Sequence, residues 1–122
     1  MSKHEIGNVY KGYFQYQDQP GTKDFRRLLL TDIVGENLDI GIMTQITTQG
    51  PKTPPTHYDQ FREPIGKWSQ AGLNKKSYAR VNKNMPLPLN VLNNPIGKLD
   101  EEDFLRIVGE ALKYMSIKGF EH

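Results

Sequence analysis

Arg26 and Arg27 stand at the start of an aliphatic run, Leu28-Leu29-Leu30-Thr31, and Thr47 and Thr48 close the next one, Gly41-Ile42-Met43-Thr44-Gln45-Ile46. A guanidinium presents a planar fork of donors that grips phosphate oxygens in pairs, and a hydroxyl at a rigid strand end adds one further donor. That combination suits a phosphodiester. Fixed donors of both kinds can also stabilise charge that develops on a phosphorus centre. By residue type alone, an arginine at a strand start is usually a solvated charge and threonine is simply a good strand residue.

Basic residues beside flat side chains are what single-stranded nucleic acid requires. Lys23, Phe25, Arg26 and Arg27 supply this combination early in the chain, and Lys75, Lys76, Arg80 and Lys83 add a second basic group. Tyr13, Tyr16 and Trp68 are candidates for stacking, although aromatics in a small β domain more often belong to its core. His57 lies in a proline-rich stretch with Tyr58 and Phe61 close by, where a loop could bring an imidazole to a leaving group; the ordinary reading is an exposed loop histidine. The three histidines are scattered, so neither a metal site nor a cofactor is expected.

These residues need strands to hold them. Alternation makes Val9 to Tyr16 a strand followed by a turn at Pro20-Gly21. Arg26 to Val34 and Leu38 to Ile46 read as a central hairpin closed at Gly35-Glu36-Asn37. Thr47 to Glu63, with Gly50-Pro51 and Pro54-Pro55, reads as a long surface loop. Two short strands are expected at Ile65 to Trp68 and Ser77 to Val81. Pro86 and Pro88 restrict Met85 to Leu89 to an edge strand or extended segment, because proline cannot donate to a ladder. Phe104, Ile107, Val108, Ala111, Leu112 and Met115 recur at helical spacing, which predicts one buried helix face. Asp100 is placed as its N-cap, and Glu101, Glu102 and Asp103 suit the positive end of the helix dipole.

The chain has 122 residues, 36% of them hydrophobic, which fits a single domain over 1–122 with its core at about 6–115. It has no cysteine, and its formal net charge of +2 is too small to identify a partner by itself. No apolar run approaches the ~20 residues of a membrane helix. A cytoplasmic protein with no membrane partner is the expectation.

The order Gly7-Asn8-Val9-Tyr10, Arg26 before an aliphatic strand, Ile46-Thr47-Thr48, Gly72-Leu73, Ser77-Tyr78-Ala79-Arg80 and Ile96-Gly97-Lys98-Leu99-Asp100 resembles the PemK/MazF family of toxins from toxin–antitoxin systems. The resemblance implies a mainly β fold with helical additions, a small SH3-like β-barrel of PemK/MazF/CcdB type carrying a C-terminal helix. It implies a homodimer that cleaves single-stranded RNA, usually mRNA, without a metal. It also implies a cognate antitoxin protein as partner, with DNA binding only alongside that antitoxin. Arg26 and Thr47 match the family's active-site arginine and threonine, and Thr48 falls where serine is frequent.

Arg80 matches an arginine that in some members assists proton transfer with an aspartate two residues on. Here that position is Asn82, which does not titrate and cannot act as a base, so Arg80 is cast as an electrostatic stabiliser. The family usually has proline after its arginine, and here Arg27 follows. A register shift of one residue would exchange the roles of Arg26 and Arg27. The expected site is therefore Arg26, Thr47 and Arg80 for catalysis, with Lys23, Arg27, Thr48, Lys75, Lys76, Asn82 and Lys83 along the RNA. Two alternatives stay open: a noncatalytic toxin of the same barrel class, and a nucleic-acid-binding adaptor.

Overall fold

The computed structural model describes residues 4–15, 21, 23–50 and 61–120, with the backbone alone at 15, 23, 24 and 114–120. The strands are β1 (Asn8–Gln15), β2 (Lys23–Val34), β3 (Ile40–Thr47), β4 (Arg62–Ile65), β5 (Ser77–Pro88) and β6 (Gly97–Lys98). A 3-10 turn at Leu89–Val91 follows β5, and the helix α1 (Glu101–Phe120) ends the fold. The strands form one curled antiparallel sheet in the order β4-β5-β3-β2-β1-β6. The protein is thus mainly β with one C-terminal helix, as its periodicities predict.

Leu28, Leu29 and Leu30 are all fully buried. Successive strand residues face opposite ways, so three consecutive buried leucines require a core on each side of the sheet. On one side Leu29 joins Val9, Ile46, Ile65, Ala79, Val81 and the helix residues Ile107 and Ala111. On the other, Leu28 and Leu30 join Tyr10, Phe14, Met43, Met85 and Leu92. His4 is also buried, its Nδ1 2.7 Å from the Tyr10 hydroxyl, which accepts a bond from Asn8 Nδ2 at 3.1 Å.

The central hairpin is present, β2 pairing with β3 from Arg27↔Ile46 to Val34↔Ile40. Its second strand starts two residues later than expected, because Leu38 sits in the turn with φ at 51°, outside the extended region that a ladder needs. Three further expectations are corrected. The strand expected at Ile65 to Trp68 lies earlier, at Arg62–Ile65. The N–H groups of Gly66 and Lys67 donate to Asp103 Oδ1 and Oδ2, at 3.2 and 2.8 Å, instead of to a neighbouring strand. The two segments expected around Ser77 and Met85 are one strand, interrupted by a bulge where β3 passes from Thr44↔Asn84 to Gln45↔Arg80. Pro86 and Pro88 are accommodated because β4 covers only Ser77 to Arg80, leaving their side of β5 unpaired among the described residues. Leu112, expected in the buried stripe of α1, is 56% exposed.

The helix begins as predicted. Asp100 Oδ2 accepts the Glu102 N–H at 3.1 Å, and the Asp100 carbonyl accepts the Phe104 N–H at 2.9 Å. Tyr16 and residues 51–60 of the expected long loop, His57 among them, lie outside the described residues.

Candidate functional site

A pocket of about 280 Å³ opens at the N-terminal end of β2 and the C-terminal end of β3. Arg26, Arg27, Thr47, Thr48 and Lys75 line it together with Phe25, Ile46, Leu73, Asn74 and Ser77. Five of the ten residues expected to handle RNA therefore meet at one place. Among the described residues the lining contains three cationic side chains, several hydroxyl or amide groups and no carboxylate. Such a surface attracts an anion and offers donors to its oxygens.

The strand registers divide these residues by face. Arg27 pairs with Ile46, and Lys11 pairs with Arg27, so by alternation Lys11, Arg27 and Ile46 share the face that carries Val9 and Leu29. Arg26 pairs with Gly12, and one further step along the β2–β3 ladder sets it across from Thr47, on the opposite face. The expected Arg26 and Thr47 are thus brought side by side. Arg27 is half-buried and Arg26 exposed. No ion pair or side-chain hydrogen bond engages Arg27 or Lys75 among the described residues. Thr47 Oγ1 accepts the Gln49 N–H at 3.2 Å, which turns the chain at the end of β3 and leaves the hydroxyl proton available to donate.

The far wall of the pocket comes from the loop between β4 and β5, and that loop is fastened at three points. Asp103 takes the N–H groups of Gly66 and Lys67 at its start. Ser77 Oγ donates to the Lys75 carbonyl at 2.8 Å near its end. In between, Gly72 has φ at +80° and lies so near the β6 approach that an added Cβ would fall 2.2 Å from the Ile96 carbonyl oxygen. Only glycine fits both demands. The backbone at Lys75 is therefore held by one contact within the lining, from Ser77, and by two outside it.

Asp103 is held by donors from three residues. Besides the two backbone donors it accepts Arg106 Nη1 at 3.0 Å, while Arg106 also donates to Glu63 at 3.1 Å and to the Pro64 carbonyl. Burial works to raise its pKa, but the bonds from Lys67, Arg106 and Gly66 outweigh that effect and hold the carboxyl below its ordinary value. In sequence Asp103 reads only as a first-turn acid; its role as a clasp requires knowing what lies across from it.

The other expected residues are placed elsewhere. Arg80 lies outside the pocket lining, and its Nη1 donates to Gln45 Oε1 across the β3–β5 ladder. Asn82 and Lys83 occupy the β5 bulge, which Asn84 braces by donating to the Val81 carbonyl at 2.9 Å and accepting from Thr44 Oγ1 at 2.5 Å. Lys76 is exposed beside the pocket wall but does not line it. Lys23 belongs to β2 by its backbone. Asn74 and Ser77, which the sequence does not single out as ligand-facing, do line the pocket. Among the described residues no group of three or more His, Asp or Glu side chains is arranged to hold a metal, and no helix is long and apolar enough to cross a membrane. No protein-family model matches the chain, and no curated protein matches it in sequence.

Proposed function

We propose that this chain is a PemK/MazF-like toxin, a cytoplasmic endoribonuclease that cleaves single-stranded RNA without a metal and acts as a homodimer held in check by an antitoxin protein. The observation that carries the reading is the convergence of Arg26, Arg27, Thr47, Thr48 and Lys75 on one pocket with no carboxylate among its described lining residues. Together with the residue order that resembles the family, the curled sheet supports a small SH3-like barrel. In this reading an arginine and a threonine bind the non-bridging oxygens of the scissile phosphate, while Lys75 holds a neighbouring phosphate. Fixed donors of this kind lower the barrier by stabilising charge that develops only in the transition state.

One observation favours a second reading. None of the described lining residues is a histidine, aspartate or glutamate, and Arg80 is committed to Gln45, so the lining holds no ordinary general base for the 2′-hydroxyl. That suits a nucleic-acid-binding adaptor that grips RNA without cutting it. Incubating the purified protein with a long RNA in EDTA separates the two. The nuclease reading expects fragments ending in 2′,3′-cyclic phosphate and 5′-hydroxyl. Tight binding without cleavage, with or without magnesium, establishes the adaptor; a strict magnesium requirement or 5′-phosphate ends overturn the mechanism.

A further inference from the structure

The sheet face that carries Val9 and Leu29 in the core changes character towards the pocket. The next cross-strand pair is Lys11 and Arg27, and the one after it is Tyr13 and Phe25. Both rings are largely exposed, Tyr13 at 63% and Phe25 at 53%. They meet edge to face, with centroids 5.3 Å apart and planes at 69°. In that geometry the edge of one ring addresses the face of the other, so neither ring has both faces covered by the pair. Phe25 also lines the pocket. The other large exposed apolar residues among those described, Ile6, Val34, Leu38, Val91, Leu105 and Leu112, are all aliphatic. The aromatic pair thus adjoins Arg27 on its own sheet face and the cation-lined pocket.

We propose that Tyr13 and Phe25 form a stacking platform for one base of a single-stranded nucleic acid, next to the nucleotide whose phosphate enters the pocket. This rests on the nucleic-acid reading above and adds a base-recognising subsite to it. A π-face flanked by guanidinium and ammonium groups matches a nucleotide, which carries a flat base on an anionic backbone. An apolar protein segment would use the rings but not the cations. Stacking by itself tolerates every base but strengthens with ring area, so a purine is preferred at this position.

The test is an abasic scan. Fluorescent single-stranded RNA oligonucleotides, intact or lacking one base at successive positions, are titrated against wild type, Tyr13→Leu, Phe25→Leu and Phe25→Trp, with inorganic polyphosphate as a probe of the pocket alone. For wild type, one abasic position weakens binding by roughly ten- to a hundredfold. Each leucine variant loses a comparable factor on intact RNA and loses no more when that same base is missing, and Tyr13→Leu, outside the pocket lining, binds polyphosphate as wild type does; Phe25→Trp retains affinity. The exposed positions leave folding intact, which thermal melting checks. Leucine variants that bind intact RNA normally, or that keep the full abasic penalty, overturn the platform. Wild type that binds RNA with no sensitive position also overturns the platform alone. Wild type that binds neither RNA nor polyphosphate overturns the nucleic-acid reading with it.

Discussion

The seam around Asp103 and the pocket around Arg27 use similar charged and polar chemistry and border the same sheet face, yet their charges are differently occupied. In the seam, Asp103, Arg106 and Glu63 bond to one another, and backbone donors and acceptors take up further valences. In the pocket, Arg27 and Lys75 line the wall with no counter-charge among the described lining residues. Placing like charges together without partners costs stability unless something else supplies the opposite charge. Charges that satisfy each other hold a fold together, whereas charges that do not are available to a ligand. Substitution should therefore affect folding in the first region and binding or chemistry in the second.

The largest expected effect concerns the two arginines. Whichever of Arg26 and Arg27 contacts the developing charge, its replacement by alanine should slow single-turnover cleavage by about 10²–10³-fold, or about 2.7–4 kcal/mol. Stability should change by no more than about 0.5 kcal/mol, as for most substitutions outside the core. The registers set the alternatives on opposite faces, so the two variants should differ sharply. Equal, full activity in both would remove the site.

Gly72→Ala should act through the fold. Forcing a Cβ into the left-handed region costs about 1–2 kcal/mol, and crowding the Ile96 carbonyl adds about 1–3 kcal/mol of overpacking. Denaturant titration should show a loss of roughly 2–5 kcal/mol. A variant as stable as wild type would mean that the loop is not pinned as described, and the fixed position of Lys75 would fall with it.

Lys75→Ala should be milder and confined to binding. If the ammonium meets a phosphate, RNA affinity should fall alike for all sequences, and the slope of log affinity against log salt should flatten by about one unit. An unchanged slope would show that Lys75 is only solvated, and would leave the pocket to the arginines.

How much of this could be read from sequence follows from the range of the interactions. The hairpin and the α1 cap at Asp100 are local patterns, and they are legible. Arg26, Arg27, Thr47 and Thr48 fall near strand ends that the hairpin alone brings together. The clasp at Asp103 and the approach of Gly72 to Ile96 join residues more than twenty positions apart, and no periodicity encodes them. Arg80 shows the converse: its type and neighbours mark it as a site candidate, and its bond to Gln45 is one that only the β3–β5 register reveals. Tyr13 is similar, because alternation predicts which face a ring takes but not that the core ends before reaching it.

The smallest effect tests why the seam is stable. Asp103→Asn keeps the shape but removes the charge, weakening charge-assisted bonds and costing about 1 kcal/mol near neutral pH. Because the folded protein holds the Asp103 carboxyl below its ordinary value of 3.8, its contribution is complete above that value and is lost as pH falls through the lower, folded one. The gap between wild type and Asp103→Asn should therefore close in acid. Tyr10 has the opposite sign: burial raises its pKa above the ordinary 10.0, so its contribution holds below that value and is lost on the alkaline side. Urea midpoints measured from about pH 7 down to about pH 3 give the comparison. A gap that stays constant over that range would show that the seam depends on the geometry of Asp103 and not on its charge, and the distinction drawn between paired and unpaired charge would then have to rest on the pocket alone.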